Sequence, residues 1–184
     1  MTRHKVFISY HHENDQQYKD YFIEKFSPYF IDKSVHYGEY SEDLSTDYIK
    51  RLIMEEKITD SSIIVVLVGT DTYKRKHVDW EISAGLSSLA GGYSGLLGII
   101  LPTYYNSIQN CSLPRNKYLP ETIPARLSDN ILSGYATAYN WESLFSYDMY
   151  GTPNIVTWLD NAYRQKIYNY NRINNGRIQF SYNR

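Results

Sequence analysis

The sequence has little of what a secreted or membrane-embedded protein needs. Its 184 residues include one cysteine, which excludes a scaffold held together by disulfides. The longest aliphatic run, residues 63–68, is far too short to span a bilayer, and the first residues contain no apolar signal-peptide core. A hydrophobic content of 42% and a charged content of 21% are typical of one globular domain. We therefore expect a cytoplasmic protein with no membrane partner.

The sequence also lacks a dominant charge and the common ligand-binding motifs. Its 19 basic and 20 acidic residues give a net charge of −1, so bulk charge attracts neither nucleic acid nor a membrane. No Walker sequence occurs. The glycines of residues 91–98 follow a predicted helix and lead into a predicted strand, whereas a dinucleotide-binding fingerprint has its glycines after a strand and before a helix. The histidines have no metal-ligand spacing, so we expect no metal site. We interpret the basic, tyrosine-rich stretch after residue 160 as a solvated helix and tail, and expect no nucleic-acid partner.

Apolar runs and helical periodicity predict strands that alternate with helices. Strands are predicted at residues 5–10, 35–37, 62–69, 96–101 and 135–141, and helices at residues 15–26, 45–58, 77–89 and 153–168. Asp15 would cap the first helix, Ser27-Pro28 would end it, and Pro153 would open the last one. Strands joined by helices imply a flavodoxin-like, doubly wound parallel α/β sheet of about five strands, with its site at the carboxyl ends of the strands.

Two segments fall outside this alternation. Residues 103–130 contain three prolines and no periodicity, which predicts a long ordered loop or insertion after strand four. Residues 169–184 are predicted to form a hairpin on the Asn175-Gly176 turn, or a tail. No internal repeat or second domain is evident, so we expect a single domain over residues 1–184 with its core at residues 4–168.

Candidate site residues lie where the predicted strands end. The first strand runs into two histidines, an acidic loop at residues 38–45 follows the second strand, and Glu81 interrupts an apolar stripe on the helix after strand three. A response regulator would need an acidic pair after strand one and an aspartate after strand three. This sequence has histidines and Gly69-Thr70 there, so that class is excluded.

The order and spacing of three segments resemble the Toll/interleukin-1 receptor (TIR) superfamily. They are residues 6–10 (VFISY), 61–70 (SSIIVVLVGT) and 78–82 (VDWEI). The resemblance is closer to the bacterial TIR-like branch that includes the TIR proteins of Thoeris anti-phage defence, and it covers residues 4–101 well. It implies a TIR-like fold and cleavage of the nicotinamide–ribose bond of NAD. Glu81 would be the catalytic glutamate, NAD the substrate, and no further cofactor is expected.

A single carboxylate is sufficient for this chemistry. Nicotinamide leaves a pyridinium as a neutral ring, so no general acid is needed, unlike in ordinary glycoside hydrolysis. One anion beside the ribose can hydrogen-bond its hydroxyls and stabilise the cationic sugar as it forms. Capture of that cation by water would give ADP-ribose, and capture by an atom of the same molecule would give a cyclic product. The sequence leaves both products open.

The end of strand one supplies further candidate contacts to the substrate. Ser9, Tyr10 and His11 would edge the cleft that holds Glu81, and we expect at least one of them to touch the substrate. Phe7 alternates to the other side of the strand from Ile8. It would line the base of the site or pack in the core.

The acidic loop and the helix of Glu81 supply the remaining candidates. Asp43 is a substrate-binding candidate in the 38–45 loop, which corresponds in place to the loop that TIR domains use for self-association, often completing a neighbour's site. A solvated connection is the alternative. The family commonly has a tryptophan four residues before the glutamate, on the same helical face, where this sequence has His77. His77 is a further substrate-binding candidate, which would stack on a ring or hydrogen-bond the substrate. Trp80 lies about 100° away around the helix, and we interpret it as core packing.

Three hypotheses follow from the sequence. The first is an NAD-consuming enzyme that assembles on a phage-derived trigger and releases an ADP-ribose-derived, cyclic or linear messenger for a separate effector protein. The second is a non-enzymatic TIR-like adaptor that acts by self-association, which His77 in place of tryptophan favours. The third is a nucleotide-binding regulator that binds without turnover.

Overall fold

The fold is described from a computed structural model, in which residues 3–35, 52–88, 92–106, 108, 113–114 and 117–184 are described. The described strands are β1 (His4–Ser9), β2 (Phe30–Asp32), β3 (Ile63–Val68), β4 (Gly95–Ile100) and β5 (Thr137–Asn140). The described α-helices are α1 (His12–Phe26), α2 (Lys76–Gly85), α3 (Pro102–Asn106), α4 (Ala125–Leu132) and α5 (Asn154–Tyr168), and Ile53–Ile58 forms a π-helical segment.

All five strands are parallel and lie in the order β2-β1-β3-β4-β5. Strands β3 and β4 are buried along their whole length, because helices cover both faces of the sheet. Successive residues along a strand therefore pack into two different cores, one on each face of the sheet. One contains Val6 and Ile8 with α1 and α5, and the other contains Phe7 with α2 and α4. The predicted flavodoxin-like α/β fold is confirmed.

Helix α1 begins earlier than predicted, and Asp15 does not cap it. The N-cap is His11, whose Nδ1 lies 3.4 Å from the backbone nitrogen of Asn14. The Asp15 carboxylate is fully buried and accepts from the hydroxyls of Thr103 at 3.1 Å and Thr72 at 3.4 Å. Asp15 thus ties α1 to the turn that follows β3 and to α3, which follows β4. The predicted end of the helix at Ser27-Pro28 is confirmed.

The second strand lies earlier than predicted. Phe30–Asp32 pairs with β1, and Val35 lies outside any strand. The strand starts directly after the short 3-10 turn at Ser27–Tyr29, since that turn already reverses the chain and buries Phe30 against α1. Residues 36 and 37, the 38–45 loop and residues 46–51 of the predicted second helix lie outside the described residues.

The predicted end of α2 and the insertion after β4 also differ from the structure. Helix α2 ends at Gly85, before residue 89, because the Gly85 carbonyl accepts from the Ser94 N–H at 2.8 Å and the chain turns back toward β4. The insertion predicted at 103–130 is not confirmed, since α3 and α4 overlap its two ends. Helix α4 was missed because it is short and directly follows Pro124, the last of the three prolines in this stretch.

The last helix starts after Pro153, as predicted, and packs tightly on β4. A Cβ added to Gly95 would lie 2.3 Å from the Ala162 carbonyl oxygen, so only glycine lets α5 approach this closely. Residues 173–184 form no hairpin; they lie as irregular chain against α2 and α4. Among the described residues, no helix has both the length and the apolar character needed to cross a membrane.

Candidate active site

Glu81 lies on the face of α2 that packs against the end of β1. Its Oε2 accepts a hydrogen bond from the hydroxyl of Ser9 at 2.5 Å. Ser9 is the last residue of β1 and is fully buried, while Glu81 retains 4% exposure. Val78 and Ile82 anchor α2 in the core beneath the sheet, which turns the intervening Glu81 toward the carboxyl ends of β1 and β3. Ser9 and Glu81, which the sequence analysis assigns to the same cleft, are therefore in direct contact.

Burial dominates the protonation of Glu81. Desolvation raises the pKa of its carboxyl from 4.5 to about 8, and the hydrogen bond from Ser9 lowers it by less. The side chain is consequently protonated for the most part at pH 7. A cation placed beside this carboxyl would favour its ionised form, because opposite charges stabilise each other strongly where water is excluded.

His77 lies one helical turn before Glu81 and faces the same strand end. Its Nε2 is 3.0 Å from the backbone carbonyl oxygen of Tyr10. A carbonyl only accepts, so Nε2 carries the proton and donates. Burial lowers the pKa of His77, which keeps the ring neutral at pH 7. His77 is thus held at the end of β1, next to Ser9.

The structure adds His12 to this group, a residue that the sequence analysis did not select. The His12 ring stacks on Tyr10 with centroids 4.5 Å apart and lies tilted against His77 at 4.9 Å. Desolvation of the ring, followed by the neighbouring His77, lowers the pKa of His12. The signal was present in the His11-His12 pair, because the second histidine opens α1, whose N-terminus faces the same edge of the sheet.

His11 and Arg75 form the rim beside these rings. The Arg75 Nε donates to the His11 Nε2, and the Arg75 Nη2 lies 3.1 Å from the Glu13 carboxylate. His11 is buried, and desolvation followed by the nearby Arg75 charge lowers its pKa. Arg75 precedes α2 as its N-cap and was missed in the sequence, where it reads as one more charge in a polar loop. The rim therefore carries one guanidinium close to the neutral rings.

Phe7 and Tyr10 take part in the site differently from the sequence predictions. Phe7 is buried in the core between the sheet and α2, so the core-packing alternative describes it. The Tyr10 ring points into the other core, and its hydroxyl donates to the Gln16 Oε1 at 2.6 Å. Its backbone carbonyl, which binds His77, is the part of Tyr10 that faces Glu81's helix. Trp80 packs against the α2 core, and Asp43 lies outside the described residues.

A comparison with known protein families found one family model that matches the chain. The family model described as "Thoeris protein ThsB, TIR-like domain" matches residues 7–106. The chain belongs to the Thoeris ThsB TIR-like family. The match runs from β1 through α3 and includes Ser9, His77 and Glu81, so the resemblance predicted from the sequence is confirmed. No curated protein matches the chain. Membership in a Thoeris family connects the protein with anti-phage defence.

Proposed function

We propose that this TIR-like protein consumes NAD in anti-phage defence, by cleaving the nicotinamide–ribose bond at Glu81. The observation that carries the proposal is the buried Glu81 carboxyl, hydrogen-bonded by Ser9 at the carboxyl ends of the parallel strands. Open parallel sheets bind ligands at this edge. Membership in the Thoeris ThsB TIR-like family supports the same function.

Glu81 acts on NAD as an anion. The nicotinamide ring of NAD is a cation, and positive charge passes to the ribose as the bond breaks. Glu81 must lose its proton to stabilise that charge, and the approach of the cationic substrate favours the loss. Because kcat/KM reports ionisations of the free enzyme, it should rise with pH through about 8, the pKa of Glu81.

The rim residues supply contacts for the rest of NAD. Its pyrophosphate is anionic, and Arg75 is a guanidinium at the rim whose exposed partner, Glu13, can be displaced. The neutral rings of His12 and His77, tilted by 57° to each other at the end of β1, supply uncharged polar contacts in the same site. Arg75→Ala should therefore raise KM for NAD more than it lowers kcat.

The product of the reaction is a diffusible messenger in this proposal. The ribosyl cation is captured by water or by an atom of the same molecule, and the ADP-ribose-derived product, cyclic in the second case, activates a separate effector protein. Self-association through the 38–45 loop, with Asp43 contacting a neighbour's substrate, and a phage-derived trigger complete the proposed sequence of events.

A non-enzymatic adaptor is the second candidate. The observation that favours it is the protonation of Glu81, since a neutral carboxyl cannot stabilise a cationic sugar. His77 in place of the usual tryptophan favours it as well. An adaptor needs Glu81 only as a packed side chain, so glutamine at this position would preserve its function.

The two candidates are separated by one set of variants in phage-infected cells. Wild type, Glu81→Gln and the matched control Glu24→Gln, a change on the exposed surface of α1, are infected with a phage panel, and both survival and NAD are measured. The proposal predicts protection and NAD loss in wild type and the control, and neither in Glu81→Gln. Protection by Glu81→Gln with constant NAD would support the adaptor and reject the enzyme.

A further inference from the structure

Residues 174–184, here called the strap, are bound along one face of the helix that carries Glu81. Three α2 residues receive it, and their spacing of three and four places them on one helical face. The Lys76 N–H donates to the Asn183 side chain at 2.9 Å, and the Asp79 carboxylate accepts from the Phe180 N–H at 3.0 Å. Ser83 accepts from the side chains of Asn175 and Gln179, each at 3.0 Å.

A buried arginine on α4 joins the strap to α2. Arg126 is fully buried, and all five of its N–H groups have acceptors. Two bonds go to the Asp79 carboxylate, at 3.1 and 3.5 Å. The other three go to the strap: the Asn175 carbonyl at 3.1 Å, the Asn175 side chain at 2.7 Å and the Arg177 carbonyl at 3.0 Å. The strap therefore completes the hydrogen bonding of a buried ion pair.

Polar bonds hold the strap in place, with little apolar burial. Ile178 is 93% exposed and Tyr182 is 72% exposed, and Phe180 is only half-buried, so the strap buries little apolar surface. Hydrogen bonds inside a low-dielectric network depend strongly on direction, and such networks fix a unique arrangement when every member is satisfied. The bonds thus favour one position of α2 relative to α4.

The strap and Ser9 contact opposite sides of α2. Glu81 is two positions after Asp79 in the helix, which places their side chains about 200° apart around the helix axis. The strap also reaches the rim, because the Arg184 N–H donates to the Lys74 carbonyl at 3.0 Å, directly before Arg75. Helix α2 is ten residues long and is therefore held from the β1 side through Glu81 and from the far side through the strap.

We propose that the strap positions Glu81, by holding α2 at the distance from β1 that keeps the carboxyl against Ser9. This inference rests on the proposed function for its catalytic consequence. Misplacing a reacting group by about 1 Å costs on the order of a hundredfold in rate. Releasing the strap should therefore lower kcat by at least about tenfold, with a smaller change in KM because the rim contacts remain.

The decisive variant is Asn175→Ala/Gln179→Ala, which removes the side-chain bonds to Ser83 and one to Arg126 while keeping the chain length. Its matched control is Ile178→Ala/Tyr182→Ala, two changes on the exposed side of the same strap. Deletion of residues 174–184 is the stronger release. If that deletion variant does not fold, the double substitution still tests the inference.

Three measurements are made on each full-length variant. Hydrogen exchange should rise in residues 76–85 of the released variant and stay unchanged in β3 and β4. The kcat should fall by at least about tenfold. The midpoint of the pH dependence of kcat/KM should move down from about 8, because water reaches the Glu81 carboxyl once α2 is displaced. The control should match wild type in all three.

Unchanged exchange in residues 76–85, or a kcat equal to that of the control, would overturn the inference. If wild type cleaves no NAD, the proposed function fails by itself. The positioning of Glu81 is then decided by exchange and by ¹³C NMR titration of the glutamate carboxyls, assigned with Glu81→Gln. An unchanged Glu81 titration in the released variant would count against the strap in that case.

Discussion

Replacing Glu81 by glutamine should stabilise the protein, and the gain should grow with pH. The Glu81 pKa is 4.5 in ordinary surroundings and about 8 in the fold. A carboxyl with a raised folded-state pKa contributes its full stability below the unfolded pKa and loses it as pH rises toward the folded pKa. Glutamine stays neutral at every pH, and so it removes this loss.

The magnitude follows from the two pKa values. At 1.36 kcal/mol per pKa unit, linkage gives a loss for wild type of about 1 kcal/mol at pH 5 and about 4 kcal/mol at pH 8. Relative to Glu81→Gln, wild type should therefore lose about 3 kcal/mol of unfolding free energy between these two pH values. Such a gain from removing the proposed catalytic carboxyl is expected where function requires a destabilised site.

Urea unfolding at pH 5, 6, 7 and 8 measures this difference, with Glu24→Gln as the control on an exposed glutamate. The control should follow wild type at each pH. A difference between wild type and Glu81→Gln that changes by less than about 1 kcal/mol from pH 5 to 8 would refute the raised pKa. The argument that substrate charge must ionise Glu81 would then be wrong as well.

Three further predictions concern single contacts. Ser9→Ala removes the hydrogen bond that lowers the Glu81 pKa, so the pH midpoint of kcat/KM should move above that of wild type; an unchanged midpoint would contradict the contact. Arg126→Met leaves the Asp79 carboxylate buried without its ion-pair partner and should lower the unfolding free energy, measured in urea, by about 3 to 5 kcal/mol. The control Arg164→Met, at an exposed arginine, should lower it by less than about 0.5 kcal/mol. Gly95→Ala pushes a methyl group against Ala162 and should lower the unfolding free energy by about 1 to 3 kcal/mol. The control is Gly176→Ala, which should leave the unfolding free energy unchanged because a Cβ there meets nothing within 4 Å.

Local patterns predicted the parts of the fold whose sequence reflects burial directly. The run at residues 62–69 is uniformly apolar because β3 is central, and Pro153 marks the start of α5 because proline suits a helix start. Helix α4 was missed because it is short and directly follows a stretch with three prolines. Its inward face combines the apolar Leu127 with the buried polar residues Arg126 and Asn130.

The candidate site was predictable in position but not in its electrostatics. Family resemblance indicated Glu81, and alternation along strand one placed Ser9 near it. The raised pKa of Glu81 arises from burial by the assembled fold, which a sequence does not display. The strap was interpreted as a hairpin or a tail because its Asn-Gly pair is typical of a turn. Its actual partners, among them Asp79 and Ser83, are about a hundred residues away along the chain.

The central claim is that Glu81 cleaves the nicotinamide–ribose bond, and isotope-labelled NAD tests it most directly. NAD labelled in both the nicotinamide and the adenosine is followed by mass spectrometry in lysates of phage-infected cells that express wild type, Glu24→Gln or Glu81→Gln. The account predicts equal amounts of free nicotinamide and an ADP-ribose-derived product in the first two, and neither in Glu81→Gln. Equal nicotinamide release in Glu81→Gln, or intact NAD in wild-type cells that survive the phage, would contradict it.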